Sequence, residues 1–406
     1  MRFPKGRESI NPGQMQLENR STVLRLLRLN ENACRKDLAE MSGLTGATVT
    51  NLIRDLVDVG LISEDKNYNG PRSRNAMALR FNYDDFLIVG ATFRRGVLRC
   101  AVADFGGRFL EKREIPLALD QPVEDVLRTL RAAVSDLINR FSSRGTIVGL
   151  GVSVPGPIDL EKGEIPRLTN LPGWSAIPIK CILEDAFDLP IVIDDNANAA
   201  AIAEKWFGFG RAHDSLISVL VSNGVGAGVV IDGQVFHGAY GFAGELGHVS
   251  IDFNGPQCEC GNHGCVELYC SALSLLRRGK SLEGSQFTSF DQMVDAAKLG
   301  DERVLGMVAD SGRYLGYSLV NLVNLFNPEL LVVHGDMLRF GRVWSDSVAR
   351  ALTERMLPEV AQRLEIHPTG LPDDPVLTGA IAMVFDYIVN NPRLEYFVAR
   401  SSLARA

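Results

Sequence analysis

The sequence lacks any run of about eighteen apolar residues, the length a helix needs to cross a bilayer, so no membrane span is expected. The apolar stretch of a secretory signal is missing too. Residues 1–13 are polar and hold Pro4 and Pro12, which makes a cytoplasmic location the expectation. There is no excess of positive charge: the net charge of -7 excludes a chain that coats nucleic acid with its whole surface. A disulfide framework is also absent. The seven cysteines are an odd number, and three of them crowd at Cys258, Cys260 and Cys265. In a cytoplasmic protein such clustering points to a metal rather than to disulfides.

What is present is unevenly distributed. Residues 1–82 hold 13 Lys and Arg against 9 Asp and Glu, which leaves 29 against 40 for the remainder. A mildly basic head on an acidic body implies that the head alone meets a phosphate backbone. With 406 residues the chain is long enough for two or three domains, and 46% hydrophobic content allows a sizeable core.

The head reads as three short helices. Val23, Leu26 and Leu27 recur at helical spacing within 21–30. Residues 35–42 form a second helix, broken by Gly43, as a tight turn requires. The third runs from about Thr45 to Val59 and turns Val49, Leu52, Ile53, Leu56 and Val57 to one side. Its other face is small and polar: Thr45, Ala47, Thr48, Thr50, Asn51 and Arg54. Small side chains let a helix approach the major-groove floor, where Asn and Arg read base edges and Thr hydroxyls reach phosphates. Two strand-like segments follow, 61–64 and 76–80, and the turn-rich stretch between them carries Arg72 and Arg74. That is the pattern of a β-wing with arginines laid on the DNA backbone or in the minor groove. The expected divisions are an N-terminal arm over 1–15, a winged helix-turn-helix over 16–82, and a body over 83–406.

The body alternates strands and helices, an α/β pattern. Strands are expected over 86–92, 97–103, 108–116, 147–154 and 330–333, with helices over 123–141 and 304–326. Motifs punctuate it: Val154-Pro155-Gly156-Pro157-Ile158-Asp159, Asn170-Leu171-Pro172-Gly173-Trp174, Asp195-Asn196-Ala197-Asn198, Gly224-Val225-Gly226-Ala227-Gly228, Gly244-Glu245-Leu246-Gly247-His248, and the run from Cys258 to Glu267. In order and spacing these resemble the ROK family of repressors, open reading frames and kinases. With the head added, the chain resembles the repressor branch, whose members regulate xylose and N-acetylglucosamine genes. The resemblance implies a two-lobed body of the actin and hexokinase type, with a lobe boundary near residue 195 and a sugar in the cleft.

Cys258, Cys260 and Cys265 offer three thiolates in one glycine-rich loop, and either His248 or His263 can add a nitrogen. Three sulfurs and one nitrogen make a closed tetrahedral zinc site of the structural kind. The resemblance assigns His248, and one structural zinc per chain is expected. It also places the sugar on Asn170, Asp195, Asn196, Glu245, His248 and Glu267, and zinc would position the last two. The kinases of the family carry a basic Asp where this chain has Asn196, and an amide cannot take a proton near neutral pH. Their phosphate hairpin is altered here as well: Thr92 stands at its Asp, and Arg94 and Arg95 at two of its glycines. Their later glycine pair reads Gly335-Asp336. The expectation is a non-enzymatic repressor, a homodimer or homotetramer, that binds operator DNA and is controlled by a sugar or phosphosugar. A kinase fused to a DNA-binding head, and a repressor sequestered by a sugar-transport protein, are the alternatives.

Overall fold

The computed structural model describes residues 11–65, 76–94, 96–119, 121–168, 173–284 and 287–398. The head holds α1 (Pro12–Leu29), α2 (Arg35–Ser42) and α3 (Gly46–Asp58), followed by the antiparallel pair β1 (Ile62–Asp65) and β2 (Ala78–Phe81). α1 begins nine residues earlier than the apolar periodicity indicates, inside the stretch read as an arm. The reason is local. Asn11 and Gln14 form a reciprocal capping box, and Pro12 stands where its missing N–H costs nothing. The wing tip with Arg72 and Arg74 lies outside the described residues.

The body contains two five-stranded sheets built on one plan. The first comes from β3 (Phe86–Arg94), β4 (Val97–Asp104), β5 (Phe109–Pro116), β6 (Thr146–Val154) and, after an intervening hairpin, β9 (Ile191–Asp195). Its order is β5-β4-β3-β6-β9, an antiparallel meander extended by two parallel strands. α4 (Val123–Phe141) covers one face, in the register its periodicity indicates. The hairpin is β7 (Ile165–Arg167) with β8 (Ser175–Ile177), and α5 (Ile179–Glu184) follows it. α6 (Asn196–Phe207) then leads into the second sheet, which uses β10 (Leu216–Val221), β11 (Val225–Ile231), β12 (Gln234–Val235), β13 (Leu330–His334) and β14 (Glu365–Pro368). The order β12-β11-β10-β13-β14 again places a meander beside parallel strands.

Helices α7 (Glu267–Cys270), α8 (Ala272–Lys280), α9 (Phe290–Lys298), α10 (Glu302–Phe326), α11 (Arg342–Thr353) and α12 (Pro358–Ala361) belong to the second lobe. α10 starts two residues before the expected Val304 because the Asp301 carboxylate caps it, accepting from the N–H groups of Arg303 and Val304. The last helix, α13 (Pro375–Asn390), returns to the first sheet and packs on α6. Among the described residues no helix is long and apolar enough to cross a membrane.

One hydrophobic cluster joins head to body. Val23, Leu24 and Leu27 of α1 share it with Phe86, Phe105, Phe385, Ile388 and Val389. The α6–α13 crossing at its centre is very close: a Cβ added at Gly379 would lie 2.4 Å from the Ala199 backbone carbonyl. Gly379→Ala improves helix propensity by up to roughly 1 kcal/mol. Backbone atoms cannot move aside, however, so overpacking costing roughly 1–3 kcal/mol should win. A lower thermal midpoint for Gly379→Ala is expected; an unchanged or higher one contradicts this packing.

Candidate functional site

The cleft between the two sheets holds a cavity of about 220 Å³. Its floor is the junction of β9 and α6. The Asp195 carboxylate caps α6, accepting from Ala197 N at 2.7 Å and Asn198 N at 2.9 Å. Asn198 Nδ2 donates to Asp195 at 2.7 Å and to Asp194 at 2.9 Å. Asn196 stands beside it. Its side-chain oxygen accepts from the Ser153 hydroxyl at 2.5 Å and from Thr92 at 3.5 Å. With that oxygen engaged, the amide offers a ligand its N–H donors.

The opposite wall comes from the second lobe. Gly244 has φ +87°, and a Cβ there would meet the Ala227 carbonyl oxygen at 1.9 Å, so only glycine lets this turn lie against β11. The turn delivers Glu245 and His248 to the cavity, and Glu267 reaches it from the start of α7. Glu267 accepts from Val225 N at 3.1 Å. Burial raises the pKa of both glutamates. Glu267 adds to the rise at Glu245, and His248 opposes it. At Asp195 burial dominates, reinforced by the Asp194 and Glu245 charges, and pushes the carboxyl up to about 7. Asp195, Asn196, Glu245, His248 and Glu267 therefore line one cavity. Asn170 falls outside the described residues.

Behind Glu267 lies the cysteine loop. One ligand atom from each of His248, Cys258, Cys260 and Cys265 falls within 4.8 Å of the others. The Cys260–Cys265 sulfurs are 3.7 Å apart, and Cys258 Sγ lies 3.7 Å from His248 Nδ1. A tetrahedron with Zn–S bonds of about 2.3 Å has S···S edges of about 3.8 Å, so the donors suit that ion. His263, the rival nitrogen, is outside this group. Since Nδ1 of His248 faces the sulfurs, Nε2 is the atom left for the cavity.

In the head, α3 turns Ala47, Thr50, Asn51 and Arg54 to solvent, while Val49, Leu52, Ile53 and Leu56 are buried. Thr45 is the N-cap and accepts from Thr48 N at 3.2 Å, and the two hydroxyls lie 2.8 Å apart. These threonines thus shape the helix start.

The family model "ROK family" matches residues 94–386, and one for winged helix-turn-helix DNA-binding matches residues 17–63. The chain belongs to the ROK family. The xylose repressor of Bacillus spizizenii is 30% identical over 383 residues, spanning 92% of this chain and 96% of that protein. A solved ROK family transcriptional regulator, described as a homologue of E. coli Mlc, superposes with TM-score 0.81 at 26% identity. It covers 94% of this chain and 99% of its own. A ROK glucokinase from Streptomyces griseus, solved with glucose and AMPPNP, matches at TM-score 0.64 and 25% identity. It covers 72% of this chain and 97% of its own.

Several residues at the site and around it escaped the motifs. Ser153 precedes the Pro-Gly motif by one residue and is legible only through strand alternation. His237 holds Asp194 at 2.7 Å, and a lone histidine in a loop carries no sequence signal. Arg20, Arg25 and Arg28 of α1 look like solvated helix residues. Yet Arg20 donates to the Pro392 carbonyl at 2.8 Å, Arg25 to Asn390 at 2.8 Å, and Arg28 to Tyr83 at 2.9 Å and the Trp206 carbonyl at 3.3 Å.

The Asp195 shift has a stability consequence. Its folded pKa of about 7 exceeds the ordinary 3.8, so the folded state holds the proton more tightly. The resulting stabilisation is complete below about pH 4 and is lost as pH rises through about 7. Asp195→Asn keeps a capping side chain but removes the titration. Its melting temperature should fall less than the wild type's between about pH 5 and about 8, and parallel pH profiles would contradict the assignment.

Proposed function

We propose that this chain is a DNA-binding transcriptional repressor of sugar genes, released from its operator by a sugar held in the cleft. The observation that carries this reading is the placement of α6. Its first residue, Asn196, lies in the cavity, and its last turn grips the DNA-binding head. Twelve residues of helix span about 18 Å. At the far end the Trp206 carbonyl accepts from Arg28, whose guanidinium also sits over the rings of Tyr83, Phe207 and Phe385 at 5.5–5.8 Å. Trp206 Nε1 donates to Asp386 of α13 at 2.8 Å, and the end of α13 holds Arg25 and Arg20.

A sugar bridging Asp195 and Asn196 on one lobe with Glu245, His248 and Glu267 on the other favours a closed cleft. Closure shifts the second lobe against α6 and α13, and the arginines of α1 transmit that shift to α3. In a dimer two heads must match half-sites about one helical turn apart, so a small change in head angle is read as lost operator affinity. Asn51 and Arg54 are suited to base edges, and the wing arginines Arg72 and Arg74 to the backbone.

Asn196 supports binding without phosphotransfer, because its oxygen is committed to Ser153 and its nitrogen accepts no proton. Zinc suits the three thiols and His248 Nδ1. It would hold the loop that presents Glu267 and fix the imidazole orientation toward the sugar.

Two measurements test this reading. Metal analysis of protein purified without chelator should give one zinc per chain. Cys260→Ser should lower both the metal content and the thermal midpoint; no change in either removes the metal site. Operator titration with and without a bound sugar should show a coupling of roughly 5–150-fold. Arg28→Met keeps much of the apolar contact but removes the hydrogen bonds, so it should bind operator and sugar separately while losing most of that coupling. If a sugar binds tightly and leaves the wild-type operator affinity unchanged, sugar-induced release is wrong and control by a sequestering protein takes its place.

A further inference from the structure

His237 stands where the two lobes meet. It follows β12 on the second lobe, and its Nε2 donates to Asp194 Oδ2 of β9, on the first, at 2.7 Å. The Asp194 side chain is 7% exposed, so the contact is sheltered from water. The imidazole is 33% exposed and keeps access to solvent protons.

Each end of that contact leads to one side of the cleft. On the first lobe, the other Asp194 oxygen accepts from Asp195 N at 2.8 Å and from Asn198 Nδ2 at 2.9 Å. Asn198 donates in turn to Asp195 at 2.7 Å, so Asp194 fixes the carboxylate on the cavity floor. On the second lobe, the His237 carbonyl accepts from Ala243 N at 3.2 Å, which closes the loop that ends in Gly244 and Glu245. The same loop is pressed onto the first lobe at Gly241, where a Cβ would lie 2.9 Å from the Ile158 carbonyl oxygen. One histidine thus connects the Asp195 side of the cleft to the Glu245 side.

A glutamine could bring a donor to the same place. What the imidazole adds is a charge that comes and goes near neutral pH. Its surroundings favour the charged form. Burial lowers the His237 pKa, but the hydrogen bond and charge of Asp194, with the charges of Asp195 and Asp386, outweigh it and leave the pKa above 6.5. Asp386 of α13 and Lys205 of α6 share with His237 a second cavity of about 220 Å³, and Arg25 of α1 acts on Asp386 from the head side.

We propose that His237 is a positioning residue of the cleft: by holding Asp194 across the lobe boundary it sets Asp195 for the sugar and favours the closed form. This rests on the reading of the cleft as the sugar site. A charged imidazole grips a carboxylate more strongly than a neutral one, so protonation favours closure. Sugar binding also favours closure, and by linkage it favours protonation in return. The charged grip is complete well below the folded pKa of His237 and is lost as pH rises through it, when the ring keeps only an ordinary hydrogen bond.

The test is calorimetric titration of the full-length protein with xylose, glucose and N-acetylglucosamine, from about pH 6 to about pH 9. His237→Gln keeps a donor without the charge. Its affinity for the sugar that binds should be several-fold below that of the wild type near the acid end and should converge on it near the basic end. Asp195 and the other cleft groups titrate in both proteins, so the ratio of affinities at each pH isolates the imidazole. His237→Phe deprives Asp194 of its donor and should bind roughly ten-fold more weakly; if it does not fold, the glutamine variant still decides. A ratio that does not change with pH means a structural role only and overturns the inference. So does an affinity that neither substitution alters. If Glu245→Gln weakens binding while the His237 variants behave as wild type, this inference alone fails. If sugars bind and Glu245→Gln has no effect, or if none of the three binds, the sugar-site reading falls and the inference falls with it.

Discussion

The contact on which the rest of the molecule depends is the crossing of α6 and α13. Both lobes and the head converge on these two helices. The first sheet packs α13 against β3 and β6, the second packs α6 against β10 and β11, and α1 inserts its arginines at their far ends. The approach is close enough that Gly379 cannot accept a Cβ. A well-packed interface of this kind is bistable rather than soft, and so it passes on a lobe movement instead of absorbing it.

The cleft has a complementary character. It gathers Asp195, Glu245 and Glu267, all with pKa values raised by burial, around space that a ligand can fill. Two of them have donors within the fold: Asp195 accepts from Ala197 N and from Asn198, and Glu267 from Val225 N. In the proposed function, sugar hydroxyls would donate to the acceptor positions these carboxylates still offer. The cysteine loop brings Cys258, Cys260 and Cys265 together with His248, just before Glu267, and the proposed zinc would tie these segments to one point. At the start of α6 the chain carries the amide of Asn196, which accepts no proton near neutral pH, in keeping with the proposed role in binding without phosphotransfer.

Much of this was legible in the sequence, for identifiable reasons. α4 and α3 bury one face each, so their periodicity marks them almost to the residue. The Gly-Glu-Leu-Gly-His turn and the cysteine run are short and local, and their chemistry survives without coordinates. What stayed hidden is long-range. No pattern ties Arg28 to the Trp206 carbonyl 178 residues away, or His237 to Asp194. The early start of α1 leaves no apolar periodicity because its first turns are polar, and only the capping residues announce it. In the sequence Arg94 stands only where the resemblance expects a glycine; its place on the cavity wall comes from the geometry of β3.

The central claim is that occupancy of the cleft is felt at the head through α6 and α13. Amide hydrogen exchange on the whole protein measures this directly, with and without a saturating sugar ligand. The account predicts altered exchange in peptides covering the cleft and also in 20–29 of α1 and 384–392 at the end of α13, although neither touches the ligand. Exchange changes confined to peptides that line the cavity, with α1 and the end of α13 unaltered, would contradict it.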